Sequence, residues 1–166
     1  MSTSTPLLRL ATPIDLAAIN AIYNHYVQHS TCTYQTQPET EAARLAWFQR
    51  HGPKHPVTVV ELDGQIAGWG SLSPYHPREA YAATVENSVY IKADLHRRGL
   101  GRTVLEDLIR RAREFGHHTI IAGIDAEQTA SIVLHQRCGF TEAGRLKQAG
   151  FKFGRWLDIV YLQLML

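Results

Sequence analysis

The chain has 166 residues, of which 45 % are hydrophobic and 19 % charged, enough to bury the core of one domain without disulfide or metal staples. A formal net charge of only +2 argues against a surface field built for nucleic acid or anionic membrane. No apolar run approaches the length of a membrane span, and MSTSTPLLRLATPID has no basic leader region and is broken by Arg9 and Asp15, so a soluble cytoplasmic protein is expected.

PLLRLA suits a first strand. In the TPID that follows, Thr12 can cap a helix, Pro13 fits its first position and Asp15 favours its positive end. Leu16, Ile19, Ile22, Tyr23, Tyr26 and Val27 then recur at helical spacing. A loop of small polar residues, HSTCTYQTQ, surrounds Tyr34. A second helix is predicted from about Pro38 to Arg50, with RHGP stopping it. HPVTVVELDGQIAGWGSLS reads as two strands joined at LDGQ, where Asp63-Gly64 is the hairpin signal.

TVENSVYIK alternates, with Val85, Val89 and Ile91 on one face and Thr84, Glu86, Ser88 and Tyr90 on the other. Leu100, Val104, Leu105, Leu108, Ile109, Ala112 and Phe115 form the clearest helical stripe, ended by Gly116. HTIIAGI reads as a buried strand and TASIVLHQRCGF as a helix closed by Gly139, with final strands near RLKQAGF and in WLDIVYLQLML. There is no repeat, low-complexity tract or linker. Residues 1–166 are expected to form a single α/β domain, a mixed central sheet flanked by helices.

Between a predicted strand and the longest helix lies HRRGLGR, His96 to Arg102, with three arginines around two glycines. A nucleotide-triphosphate P-loop needs Gly-Lys-Ser/Thr, and the sequence has no Gly-Lys pair. A dinucleotide fingerprint needs a small third residue where Val104 stands, and prefers the first strand-helix turn. What remains is a pyrophosphate held by loop N–H groups and a helix N-terminus, with Gly99 and Gly101 allowing close approach and Arg97, Arg98 and Arg102 adding charge. The alternative is a solvated basic turn. Arginine outnumbers lysine 13 to 4, which suits forked recognition of carboxylates and phosphates, although GC-rich coding gives the same bias. Cys32 and Cys138 show no metal spacing and read as free thiols in a reducing compartment. Most of the 9 histidines are expected at the surface, and His117-His118 lacks useful ligand geometry.

The pattern Arg-x-Gly-x-Gly opening a long helix resembles the acetyl-CoA loop of the GNAT N-acetyltransferases, and the order of predicted elements is that family's order. IYNHYV, AWF, HPV, AY, TVENSVYI, LHQRCGF and KFGRWLDIV are similar, in register, to the phosphinothricin / methionine sulfoximine acetyltransferase branch. The likeness runs from about residue 8 to the C-terminus.

That resemblance implies acetyl-CoA as donor, no metal, and as acceptor a small amino acid with a tetrahedral, oxyanion-like side chain: phosphinothricin, arsinothricin, methionine sulfoximine or methionine sulfone. It implies that Glu86 is the general base that frees the α-amine. The backbone of Val89, Tyr90 and Ile91 would meet the acyl-pantetheine arm, and the segment Arg97, Arg98, Gly99, Leu100, Gly101 and Arg102 the pyrophosphate. Gln128 stands where the family usually has an asparagine on the pantetheine. His76 departs from an Arg-x-Arg pattern whose second arginine, Arg78, is kept and can pair with an anionic acceptor group. His135 occupies the place of a tyrosine that protonates the leaving thiolate, or else simply packs there; Cys138 is expected to be a small core residue.

Tyr34, Arg78, Tyr81 and Glu86 are the expected acceptor contacts, Lys152 is expected near the site entrance, and Phe153 and Trp156 are expected in the core. A homodimer is implied by the resemblance, with no nucleic-acid or membrane partner. Other amines (a polyamine, an aminoglycoside, a protein N-terminus), a non-catalytic acyl-CoA sensor, and a nucleic-acid surface drawing on Arg110, Arg111 and Arg113 remain as alternatives.

Overall fold

The computed structural model describes residues 5–166, so residues 1–4 of the segment read for a leader lie outside it. The patterns above resolve into β1 (Leu7–Leu10), α1 (Leu16–His29), α2 (Glu41–Gln49), β2 (Val57–Leu62), β3 (Gln65–Pro74), β4 (Thr84–Ile91), α3 (Leu100–Glu114), β5 (Thr119–Asp125), α4 (Thr129–Arg137), β6 (Thr141–Lys152) and β7 (Arg155–Met165). One sheet runs β1-β2-β3-β4-β5-β7-β6. Its neighbours are antiparallel except β4 and β5, which are parallel.

Local chemistry sets the boundaries. Asp63 and Gly64 both take positive φ, 53° and 75°, the twist that a two-residue hairpin requires. Arg9 and Asp15, which interrupt the apolar run in sequence, close on each other: the Arg9 guanidinium donates to both Asp15 oxygens at 2.7 and 2.8 Å. The second helix starts at Glu41, later than Pro38. Asn20 and Asn24 both donate to the Glu39 carbonyl, and Asn24 Oδ1 accepts from the Glu39 N–H at 2.7 Å, pinning residue 39 outside the helix. The Thr40 hydroxyl then caps it, accepting from the Ala43 N–H at 3.1 Å.

Alternation along the strands splits the core between the two faces of the sheet. Val57, Val59 and Trp69 pack with Leu16, Ile19, Ile22 and Tyr26 of α1. Val60, Leu62, Leu72 and Val85 pack with Val104, Leu105 and Leu108 of α3, together with Ile120 and Val160. Gly70 lets α3 approach, since a Cβ there would lie 2.5 Å from Val104 Cγ1.

The C-terminal hairpin differs from expectation. β6 begins at Thr141 and carries two register shifts. Phe153 and Trp156 are not core residues but 55 % and 60 % exposed, Phe153 in the β6–β7 turn and Trp156 at the start of β7, outside both core clusters. Two histidines are buried rather than solvated, His117 and His135. Cys138 packs, partly buried, against the α3-side core. Arg110 and Arg111 are tied up in ion pairs with Asp107 and Glu114.

Candidate active site

β4 and β5 pair only over Thr84↔Thr119, Val85↔Ile120 and Glu86↔Ile121. Beyond Glu86, β4 stays with β3 as far as Ile91, and β5 stays with β7 as far as Asp125. The two halves of the sheet therefore part, and the facing edges keep backbone N–H and C=O groups that no strand satisfies. A cavity of about 270 Å³ sits at the fork, lined by Cys32, Thr33 and Tyr34 of the polar loop, residues 86–90 of β4, Gly123 and Asp125 of β5, His135 of α4 and Ile159 of β7. A second cavity of about 410 Å³ between α1 and residues 92–94, lined by alanines together with Ile22, His25, Tyr26, Lys92 and Asp94, does not include Glu86.

Glu86 is the last residue of β4 paired with β5 and is half-buried, with Oε1 against Gly123, where a Cβ would stand 3.4 Å away. Burial raises its pKa, and no neighbouring positive charge opposes the shift. A carboxylate so placed accepts a proton more readily near neutral pH than an exposed one. Val89 and Tyr90 also line the cavity. The Ile91 side chain is buried, and its carbonyl accepts from the Tyr26 hydroxyl and lies 3.2 Å from His96 Nε2. His96 Nε2 is in turn 2.7 Å from that hydroxyl, so α1 anchors the start of the glycine loop.

In the loop, Arg97 and Gly99 take positive φ, 61° and 81°. Gly99 caps α3, whose first turn holds the buried Leu100. Gly101 is already helical and owes its size to Leu134, whose Cδ2 would be 3.3 Å from a Cβ. Arg97 and Arg98 are exposed beside this helix N-terminus, and Arg102 donates to Glu106 at 2.7 Å. Free backbone N–H groups at a helix N-terminus, with Arg97 and Arg98 beside them, could hold an anion.

Tyr34 is brought into the cavity, with its hydroxyl 2.9 Å from both Asp125 Oδ2 and the Asp158 carbonyl. Burial and the adjacent Asp125 carboxylate raise its pKa, so it stays a neutral donor. Arg78 and Tyr81 are not brought there. They lie exposed around the single turn Glu79–Tyr81, with Tyr81 against Tyr75 and His76. Gln128 precedes α4 and donates to the Thr31 hydroxyl at 3.2 Å. His135 is buried, its Nδ1 2.8 Å from the Ser131 carbonyl and its Nε2 2.9 Å from Asn87 Nδ2. Burial lowers its pKa.

Three participants, Asn87, Asp125 and Cys32, escaped the sequence reading as site residues, and a fourth, Lys152, was misplaced. Asn87 sits on the buried face of β4 between Val85 and Val89, and a polar residue on an apolar stripe was the available signal. Asp125 lines the cavity from the end of β5. Cys32 does too, with its thiol pushed up by burial. Lys152 is not at an entrance but buried behind the 30–34 loop, donating at 2.7 Å to the carbonyls of Ser30 and Thr33. Among the described residues no group of three His, Cys, Asp or Glu side chains converges as a metal site, and no helix is long and apolar enough to cross a membrane.

Comparison with known proteins places this geometry. The model of the Acetyltransferase (GNAT) family matches residues 19–140. The chain is 40 % identical over 160 residues to the L-methionine sulfoximine/L-methionine sulfone acetyltransferase of Salmonella typhimurium, covering 96 % of this chain and 94 % of that one. It is 43 % identical to the phosphinothricin N-acetyltransferase of Alcaligenes faecalis, covering 94 % and 80 %. The crystal structure of a phosphinothricin acetyltransferase from Sinorhizobium meliloti in complex with AcCoA superposes with a TM-score of 0.95 at 34 % identity, covering 98 % of this chain and 89 % of that one. The residues here fit such a donor: an open β4 edge for an extended arm, a helix N-terminus ringed by arginines for phosphates, and in the cavity between them a buried amide oxygen, Asn87 Oδ1, without a partner. On this evidence the protein belongs to the Acetyltransferase (GNAT) family.

Proposed function

We propose that the protein is an acetyl-CoA-dependent N-acetyltransferase that acetylates the α-amine of a phosphinothricin-like amino acid, a detoxification activity. The observation that carries the reading is the half-buried Glu86 carboxylate, its pKa raised by burial, at the point where β4 and β5 part. An α-ammonium has a pKa of about 8 and must lose its proton before nitrogen can attack. Glu86 takes that proton, directly or through one water. Acetyl-CoA supplies the thioester carbon that is attacked, with loss of the thiolate. Backbone N–H groups on the open edge of Val89 to Ile91 receive the oxygen on which charge develops, and the segment Arg97 to Arg102 holds the pyrophosphate. The chemistry calls for no metal.

The cavity lining contains no arginine or lysine, and Arg78 stays outside it. This favours acceptors whose tetrahedral head is uncharged, methionine sulfoximine and methionine sulfone, over the anionic phosphinothricin and arsinothricin. A second reading follows from the same lining: the carboxylates of Glu86 and Asp125 suit a cationic amine such as a polyamine or an aminoglycoside. Residues 1–166 act as one catalytic domain in the cytoplasm. The exposed Leu146, Phe151, Phe153 and Trp156 on the C-terminal hairpin support a homodimer.

Thiol release from acetyl-CoA tests the reading, using the four amino-acid analogues with spermidine, an aminoglycoside and an N-terminal peptide as controls. Turnover confined to the analogues, highest with the sulfone and sulfoximine, is expected. Turnover on the controls alone would overturn the acceptor assignment. Acetyl-CoA binding without turnover across the panel would replace the enzyme by a sensor.

A further inference from the structure

Asn87 is the first residue of β4 past the last β4–β5 pair, and it lies on the α4 side of the sheet. It is 8 % exposed and lines the cavity with Glu86, Val89 and His135. Its amide orientation follows from its neighbour. The Ser131 carbonyl can only accept, so His135 Nδ1, 2.8 Å away, carries the imidazole proton. Burial keeps the ring neutral, which leaves Nε2 as a bare acceptor. The Asn87 atom 2.9 Å from it must therefore be the donor, Nδ2. That fixes Oδ1 as the other end of the amide, and Oδ1 is buried without a hydrogen-bond partner. Leaving such an acceptor unpaired is unfavourable. Acetyl-CoA carries a matching donor, since its pantetheine arm has secondary amide N–H groups while the thioester sulfur carries no hydrogen.

Building on the acyltransferase reading, we infer that Asn87 is an acyl-donor-binding residue whose Oδ1 accepts a hydrogen bond from the pantetheine amide N–H nearest the thioester. His135 is a positioning residue that orients the Asn87 amide and does not protonate the leaving thiolate. With Nδ1–H spent on Ser131 and Nε2 accepting from Asn87, the ring has no proton to offer the cavity.

Calorimetric binding without amine present tests this on wild type, Asn87→Leu and His135→Phe, each with acetyl-CoA and with an analogue whose amide nearest sulfur is an ester. Thermal melts check that each variant folds. Removing the N–H from the ligand, or Oδ1 from the protein, is expected to weaken binding about tenfold, with no further loss when both are removed. Independent, multiplying losses would overturn the contact, as would a raised KM for the amine with acetyl-CoA binding unchanged. His135→Phe is expected to weaken acetyl-CoA binding while kcat at saturation and the shape of its pH profile stay as in wild type. Collapse of kcat with a changed pH profile would make His135 the proton donor. The ester analogue on wild type needs no variant to fold, and absence of acetyl-CoA binding by wild type would overturn the acyltransferase reading as well.

Discussion

The buried ammonium of Lys152 donates a 2.7 Å hydrogen bond to the carbonyl oxygen of Thr33, 119 positions earlier in the chain. A second bond of the same length goes to Ser30. The end of β6 thus clamps the loop that carries Cys32, Thr33 and Tyr34 into the cavity, with Phe153 covering the cation at 4.9 Å. Lys152→Met keeps the stem and removes both bonds. It is expected to lower stability by about 1–3 kcal/mol and to raise the KM for the amine several-fold, with acetyl-CoA affinity unchanged. Melting curves and paired KM measurements check this.

Glu86→Gln removes the proposed general base while leaving the strand intact. Turnover is expected to fall roughly 10²–10⁴-fold with acetyl-CoA binding preserved. Burial raises the Glu86 pKa in the folded state, so the folded protein binds this proton more tightly than the unfolded chain does. Ionisation therefore lowers stability once pH exceeds the folded pKa and costs nothing below the unfolded one. The Gln variant should melt above wild type at pH 7–8, with the gain fading as pH falls to the ordinary carboxylate range. In wild type, kcat/KM should fall on acidification through a pKa above that range.

Gly99 has a φ of 81° and open space where a side chain would go, so Gly99→Ala tests conformation without a clash. Forcing alanine into the left-handed region costs about 1–2 kcal/mol. If the loop relaxes instead, the N–H groups at the start of α3 turn away. Weaker acetyl-CoA binding in calorimetry is expected, with the KM for the amine unaffected.

Asp15 is buried, and the Arg9 guanidinium holds its carboxyl below the usual range. The stability this contributes is present above the unfolded pKa and lost as pH falls through the lower folded one. Asp15→Asn is expected to cost about 2 kcal/mol at pH 7, or about 4–8 °C in Tm, with a deficit that narrows on acidification.

Much of the architecture was legible because period and punctuation are local. The Leu100 to Phe115 stripe, the Asp63-Gly64 turn and the alternation around Glu86 each state their element within a dozen residues. Chain order alone also brought out the glycine loop before α3. Where the reading slipped, a distant partner decided. Helix α2 starts late because Asn20 and Asn24 of α1 hold Glu39, and Phe153 and Trp156 are exposed because the β6–β7 turn lies outside both core clusters.

The sequence by itself determined the elements, the loop and the family, since hydrophobic period, turn residues and motif spacing act over short stretches. Only the tertiary structure decided that β4 and β5 part at Glu86, that Asn87 and His135 fix each other's hydrogen bonds across 48 positions, and that Arg78 stays outside the cavity. Each of these depends on which buried polar groups find partners, and that is settled by contacts between remote segments when the core closes.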